Sequence, residues 1–550
     1  MQMNGDRIKE LTLLLTKIKS VVGTTEENHV TEAIYEILMA LPYFKTNPEY
    51  LFYVENKNDK AGRKSLVAMM NGHKEDSKDT VILLGHIDTV GISDYGSLEH
   101  LATDPENLIA ALKSENLPEN VMRDLNSGDY LFGRGILDMK SGLSIIIHLL
   151  EILAENINEL KGNLVVSFVS DEEGNSKGML SVVPELVNLK KKYKLNYLTA
   201  IDTDYTSERA LGDNSRYLYA GTVGKLMPSF YVVGKETHVG DPFGGLDSNE
   251  LAASLVQNIN LRVNLSDNYL GEVTVPPITL RLKDLKPEYS VQTNRATEVY
   301  FNFSTHSSTP DVVLAKLKDV ARLSFMEVIE KLTSEYKIYT ALMNLSYSPL
   351  PWKEKILTYE DLYTEVKKKI SNLDTILADY TKELVSSEKH DEREISLLIV
   401  EKLHTLWGEK EPVIILYFSP PYYPHIAVNG ETDIEKNLLN VLETHVDENL
   451  DHPIKLRKFY PYISDLSYFA LPKESAVDSL KDNMPGFGIS YSLPLEEIAE
   501  LSLPVTNIGT YGFDAHKYTE RIEVPYSFHT VPGIVLDTVL SLLDSTLKNN

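Results

Sequence analysis

Apolar positions along the chain follow two rhythms. Near the N-terminus Leu11, Leu14, Leu15, Ile18 and Val22 recur at helical spacing, and Thr24-Thr25-Glu26-Glu27 caps a second helix reaching to about Leu41. Residues 80–85 are instead an unbroken run of strand length, the pattern of a strand covered on both faces. Residues 162–170 and 197–202 repeat that pattern, residues 51–54 and 65–70 are strand-like, and residues 143–150 read as a buried helix. This order predicts an α/β domain with a central mixed sheet flanked by helices. Residues 92–129 are polar, lack a period and read as a surface excursion.

From about residue 214 the pattern changes. Strand-like residues 226–233, helices at about 247–259 and 310–333, and strands around 273–282 and 296–303 give a β-α-β-β-α order. That order predicts a compact inserted α+β domain of the ferredoxin-like kind. Residues 335–410, rich in Tyr, Lys and Glu, read as an added helical insertion, and 412–418 as a closing strand. The first domain then resumes, with helices at 434–446 and 531–547. The expected division is 1–213 and 428–550 for the main domain and 214–427 for the insertion.

Composition narrows the chemistry. A chain of 550 residues with 43% hydrophobic content exceeds one core, and its formal net charge of −26 argues against a nucleic-acid or anionic-membrane partner. Cysteine is absent, so any metal must sit on His, Asp and Glu. There is no signal-like apolar leader and no run of about 18 consecutive apolar residues, which points to a cytoplasmic protein.

Candidate chemistry collects at strand ends. Asp138 lies in Gly133-Arg134-Gly135-Ile136-Leu137-Asp138-Met139-Lys140-Ser141-Gly142, at the mouth of the buried helix, where one carboxylate can bridge two cations. The plainer reading is a glycine-rich turn capping that helix. His86 and Asp88 follow the run at 80–85 and point to one side of an extended segment, so Asp88 is placed to orient a His ligand. A histidine there can equally be structural. Asp171-Glu172-Glu173-Gly174 follows the second run, and neighbouring acids can divide labour between ligand and base, or form a solvated turn. Asp202 and Asp204 end the third. Three buried strands thus deliver His, Glu and Asp to one sheet edge, the place where α/β proteins gather ligands.

Together these motifs resemble the co-catalytic zinc metallopeptidase and deacylase family, which includes peptidase T, glutamate carboxypeptidase, succinyl-diaminopimelate desuccinylase and aminoacylase. The length and Tyr-rich insertion resemble its arginine-utilisation (Roc type B) subgroup. The resemblance implies His86, Asp138 and Asp202 (Asp204 as fallback) around one zinc, and Asp138, Glu173 and His516 around the other, with Co2+ or Mn2+ as substitutes. It implies Asp88 as the carboxylate steering His86, Glu172 as general base, a cis peptide after Asp138, and His238 as a lid histidine that reaches the partner's site in dimeric relatives. Two positions depart from it: Ser290 stands where the family has Asn, and Phe303 or a neighbour where it has Arg.

The implied activity is hydrolysis of a small peptide or an N-acyl amino acid by a possible homodimer. The alternatives are a non-catalytic binding or scaffold protein with a residual metal site, and a mononuclear zinc or manganese enzyme.

Overall fold

Why the chain divides where it does follows from its strand pairing. The computed structural model describes residues 1–472 and 474–545, in two units: Met1–Thr222, Ile426–Ala470 and the chain from Pro494 form the first, Val223–His425 and Leu471–Leu493 the second. The strand Arg216–Thr222, expected in the insertion, stays with the first unit because it pairs with Val505–Asn507 and Ile454–Arg457. Residues 471–493, expected in the main domain, belong to the second unit. Their helix Glu474–Asp482 packs on the long helix Pro310–Leu342, and the Asn483 carbonyl accepts a hydrogen bond from the Phe418 amide.

In the first unit the sheet runs Leu51–Glu55, Lys64–Asn71, Asn163–Val169, Asp79–His86, Asn196–Asp202, Val505–Asn507, Arg216–Thr222. Its centre is parallel: Asp79–His86 lies between Asn163–Val169 and Asn196–Asp202, with His86 beside Val169 and Leu84 beside Asp202. All but the first residue of these central strands are buried or nearly so, because helices cover both faces. Gly5–Thr16, Glu27–Met39, Ser141–Glu155 and Val531–Asp544 join the large core cluster, while Lys177–Tyr193 packs on Leu51–Glu55, Lys64–Asn71 and Asn163–Val169.

Among the described residues, one helical stretch, Val524–Asp544, is long and apolar enough to cross a membrane. With 61% of its apolar window buried, it serves here as core. The excursion at 92–129 is also more ordered than its polarity suggests. It holds the helices Pro105–Leu112 and Glu119–Ser127 around a small core of its own, in which Leu108, Leu112, Val121 and Leu125 meet Tyr95 and Phe132.

The second unit has the expected β-α-β-β-α-β order. Its strands Pro228–Val233, Ile278–Asp284, Ala296–Thr305 and Val413–Phe418 pair in the spatial order second, third, first, fourth. The helical insertion adds the short strand Ile356–Thr358 beside Val413–Phe418 and three helices, Tyr359–Lys367, Leu373–Ser387 and Glu392–Trp407, which share a core with the sheet residues Tyr231, Val233, Val413 and Ile415. Ile278–Asp284 is an edge strand, and Ile278, Leu280 and Leu282 are exposed along it.

Candidate metal centre

Parallel register brings the first three motifs to one edge. His86 ends its strand, residues 170–173 follow Val169 beside it, and Asp202 ends the strand on the other side. Gly85 makes room for the next element: a β-carbon there would sit 2.7 Å from Met139 Cε, and Met139 Sδ accepts the His86 amide at 3.1 Å. The Asp138–Met139 peptide is cis, as the family resemblance implies. Gly142 does the same on the other side, since a β-carbon would lie 2.3 Å from the Thr203 carbonyl oxygen.

Asp138 is buried, and its two oxygens face two different histidines. Oδ1 lies 3.0 Å from His86 Nε2, and Oδ2 lies 3.1 Å from His516 Nε2. His516 Nε2 is also 2.9 Å from Glu173 Oε1. Ligand atoms of His86, Asp138 and Glu173 all lie within 4.8 Å of one another. His516 reaches this place from a left-handed turn, at φ 67°, after Asp514 at φ 60°. Crowding by protein opposes charge on the buried His86 and on the half-exposed His516, yet the carboxylates prevail. Asp138 and Glu173 hold His516 up to about 10, and His86 also stands well above its ordinary value beside Asp138, Glu172 and Asp88.

Asp88 supports the site differently from expectation. The His86 Nδ1–H donates to the Asp88 backbone carbonyl at 3.0 Å, whereas the Asp88 carboxylate is 3.7 Å away. That carboxylate instead accepts the backbone N–H groups of Glu172 at 3.2 Å and Glu173 at 3.0 Å. One residue therefore orients the histidine with its carbonyl and ties down the acidic loop with its side chain. Glu172 is partly exposed. Crowding by protein and by the carboxylates of Asp465, Glu173 and Asp204 pushes its pKa well up, although His86 opposes this.

Asp202 and Asp204 are both buried, each anchored by a hydroxyl. Ser464 donates to Asp202 Oδ2 at 2.8 Å, and Tyr460 donates to Asp204 Oδ2 at 2.8 Å. Burial raises both acids, Asp202 to about 6, and Asp138 is the charged group that acts most strongly on Asp204. His238 belongs to the second unit, where it is exposed on the turn after Pro228–Val233 and its Nδ1 accepts the Gly240 N–H at 3.0 Å. Phe303, at the expected Arg position, is fully buried in its strand, and Ser290 is half-buried.

Two residues of the site, Glu520 and Asp465, were not marked by the sequence. Glu520 is fully buried; its Oε1 accepts the backbone N–H groups of Leu137 and Asp138, and its Oε2 accepts Arg134 Nη1 at 2.8 Å. It stands four residues after His516, in the same motif, so its sequence position was the one available hint. Asp465 is buried with neither oxygen in hydrogen-bond geometry, its near polar neighbour being the Ser176 hydroxyl. Beside His516 a cavity of about 380 Å³ opens, lined by Pro118, Val121, Asn120, Lys517 and Tyr518 among others.

Residues 82–333 match the peptidase family M20/M25/M40. Protein RocB of Bacillus subtilis (strain 168) is 33% identical over 545 residues, covering 98% of this chain and 96% of that protein. The chain belongs to the M20/M25/M40 peptidase family. A succinyl-diaminopimelate desuccinylase of Wolinella succinogenes is 36% identical over 131 residues, which are 24% of this chain and 33% of that one. The solved structure of aminopeptidase PepT from Bacillus cereus ATCC 10987 shares the fold, with a TM-score of 0.53 at 11% identity over 98% of this chain and 99% of that one. This M20 protein is a hydrolase of the metallopeptidase and amidohydrolase kind.

Proposed function

We propose that the chain is a two-zinc amide hydrolase acting on peptide ends or N-acyl amino acids, with Glu172 as general base. The observation that carries this reading is Asp138, whose two oxygens are turned to two histidines on separate segments. The donor set fits the metal, since two imidazoles and several carboxylates, with no thiolate, are ordinary zinc ligands. His86, Asp138 and Asp202 would hold one ion, with Asp204 beside them; Asp138, Glu173 and His516 would hold the other. Bound there, two zinc ions supply Lewis acidity, lowering the pKa of a water and polarising the scissile carbonyl.

The protein's own groups do the rest. Glu172 takes a proton on its carboxylate and passes it to the leaving amine, a role worth about 10²–10⁴-fold in rate. Asp88 holds the Glu172 and Glu173 amides in place, and Glu520 holds those of Leu137 and Asp138. The cavity beside His516 offers room for part of the substrate. His238 serves as a donor to the oxyanion, and the exposed apolar edge strand Ile278–Asp284 supports a homodimer. The desuccinylase relative adds support for N-acyl substrates beside peptides.

Metal analysis and a panel of dipeptides and N-acyl amino acids test this reading. Two zinc ions per chain are expected, and Glu172→Gln should lower kcat at least 100-fold while still binding both. An unchanged rate in Glu172→Gln, or a single bound ion, overturns it. Mixing inactive His238→Ala and Glu172→Gln proteins should restore activity if the histidine acts across a dimer. No recovery despite proven subunit exchange removes that part.

A further inference from the structure

The loop carrying Glu172 and Glu173 begins at Asp171, and Asp171 belongs to a second buried charge cluster. At its centre is Arg63, whose side chain is 4% exposed. Arg63 Nη1 donates to Glu27 Oε1 at 2.9 Å and to Asp171 Oδ1 at 2.5 Å, while Nε and Nη2 both donate to the Asp59 carboxylate. Glu27 is fully buried, and its other oxygen accepts the Asp171 backbone N–H at 2.9 Å. Asp171 has a left-handed backbone, at φ 66°, which a side chain disfavours. Its carbonyl accepts the amides of Gly174 and Ser176, and its Oδ2 accepts that of Lys177.

Three carboxylates in one buried spot repel each other and lose solvation. A guanidinium meets all three at once through donors spread in a rigid planar fork, Nε and Nη2 pairing with one carboxylate; an ammonium, with its three donors on one atom, cannot reproduce that fork. The residue so gripped starts the turn from which Glu172 and Glu173 project, and the Asp88 carboxylate grips the same two residues by their amides.

We propose that Arg63 is a positioning residue for hydrolysis: through Asp171 and Glu27 it holds the backbone that aims the Glu172 and Glu173 carboxylates. The proposal rests on the roles given above to those two glutamates. Losing Arg63 leaves the fold of the sheet in place but lets the acidic turn relax, displacing the base and one ligand together. Misplacing such groups by about 1 Å costs about 100-fold, and loss of groups that support metal ligands costs about 10–100-fold in affinity or rate.

The test compares Arg63→Met, Arg63→Lys and Glu27→Gln with Arg216→Met. Arg216 is also buried and paired, with Glu523 at 2.7 Å, but it has no hydrogen bond to the acidic turn. Each variant is assayed at saturating zinc on the best substrate of the panel, titrated with zinc alone by calorimetry, and unfolded in urea. Arg63→Met should lower kcat about 10–100-fold with KM within threefold, and weaken one zinc about tenfold. Arg63→Lys should fall between it and the parent. Arg216→Met should lose stability yet keep kcat. Should Arg63→Met fail to fold, Glu27→Gln and Asp171→Asn, which preserve size, carry the same reading.

Parental kcat and zinc affinity in the Arg63 and Glu27 variants, with only the urea midpoint moved, would overturn the proposal. Glu172→Gln is run alongside. If it is inactive while the Arg63 variants are fully active, positioning alone fails; if it is active, the assignment of the base fails too. Where no panel substrate is turned over, the zinc titration decides.

Discussion

Replacing Glu520 tests how Asp138 is held. Its carboxylate is fully buried, accepts two backbone amides on one oxygen and meets Arg134 at 2.8 Å on the other. Arg134 is 1% exposed and keeps one other carboxylate, Asp94, at 2.8 Å. Glu520→Ala therefore strips a buried cation of one partner and leaves two amides without an acceptor. Breaking a buried pair costs about 3–5 kcal/mol, and an unsatisfied donor about 1–3, without simple addition, so a loss of about 3–5 kcal/mol is expected. Glu520→Gln can still accept the two amides on its carbonyl, but its NH2 then faces Arg134 donor to donor and the charge is lost, so a cost of about 3 kcal/mol is expected.

Urea unfolding by circular dichroism reads this. Both tryptophans, Trp352 and Trp407, lie in the second unit, so their fluorescence follows that unit separately. Zinc affinity should fall about 10–100-fold in Glu520→Ala, because Asp138 loses its backbone anchor. A loss below about 1 kcal/mol together with parental zinc affinity would refute the reasoning.

Two further outcomes are expected. His404 is buried in the second unit, its ring 5.7 Å from Tyr231 and 6.1 Å from Trp407, and burial followed by the Arg295 charge lowers it to about 4. The unfolded chain binds the proton near 6.5 and the folded one does not, so stability should fall by roughly 3 kcal/mol as pH drops from 6.5 to 4. Tryptophan-monitored unfolding shows this slope, and His404→Phe should flatten it; an unchanged slope assigns it elsewhere. Zinc at one hundred times its Kd should stabilise the first unit by about 2.7 kcal/mol and EDTA should reverse this, whereas a melting curve indifferent to zinc would contradict binding to the folded state.

Sequence alone determined what depends on neighbours along the chain. Unbroken apolar runs leading into His86, Asp171-Glu172-Glu173 and Asp202 marked buried strands and the polar residues at their ends, because burial on both faces forbids alternation. The β-α-β-β-α order of the insertion was legible from the alternation of strand-length and helix-length apolar patterns. Residues 471–493 were not: a helix's apolar stripe says that it packs, and not on which sheet.

Tertiary structure decided the long-range partnerships between polar groups. His516 meets Glu173 across 343 residues of chain, and Arg134 meets Glu520 across 386. Such pairs leave no period, since a buried charge needs an opposite charge close in space and is indifferent to where that charge lies in the sequence. Asp88 shows the limit most plainly. Its place beside His86 was readable, but which of its oxygens serves the ring and which the acidic turn depended on the turn after Val169 folding back against it.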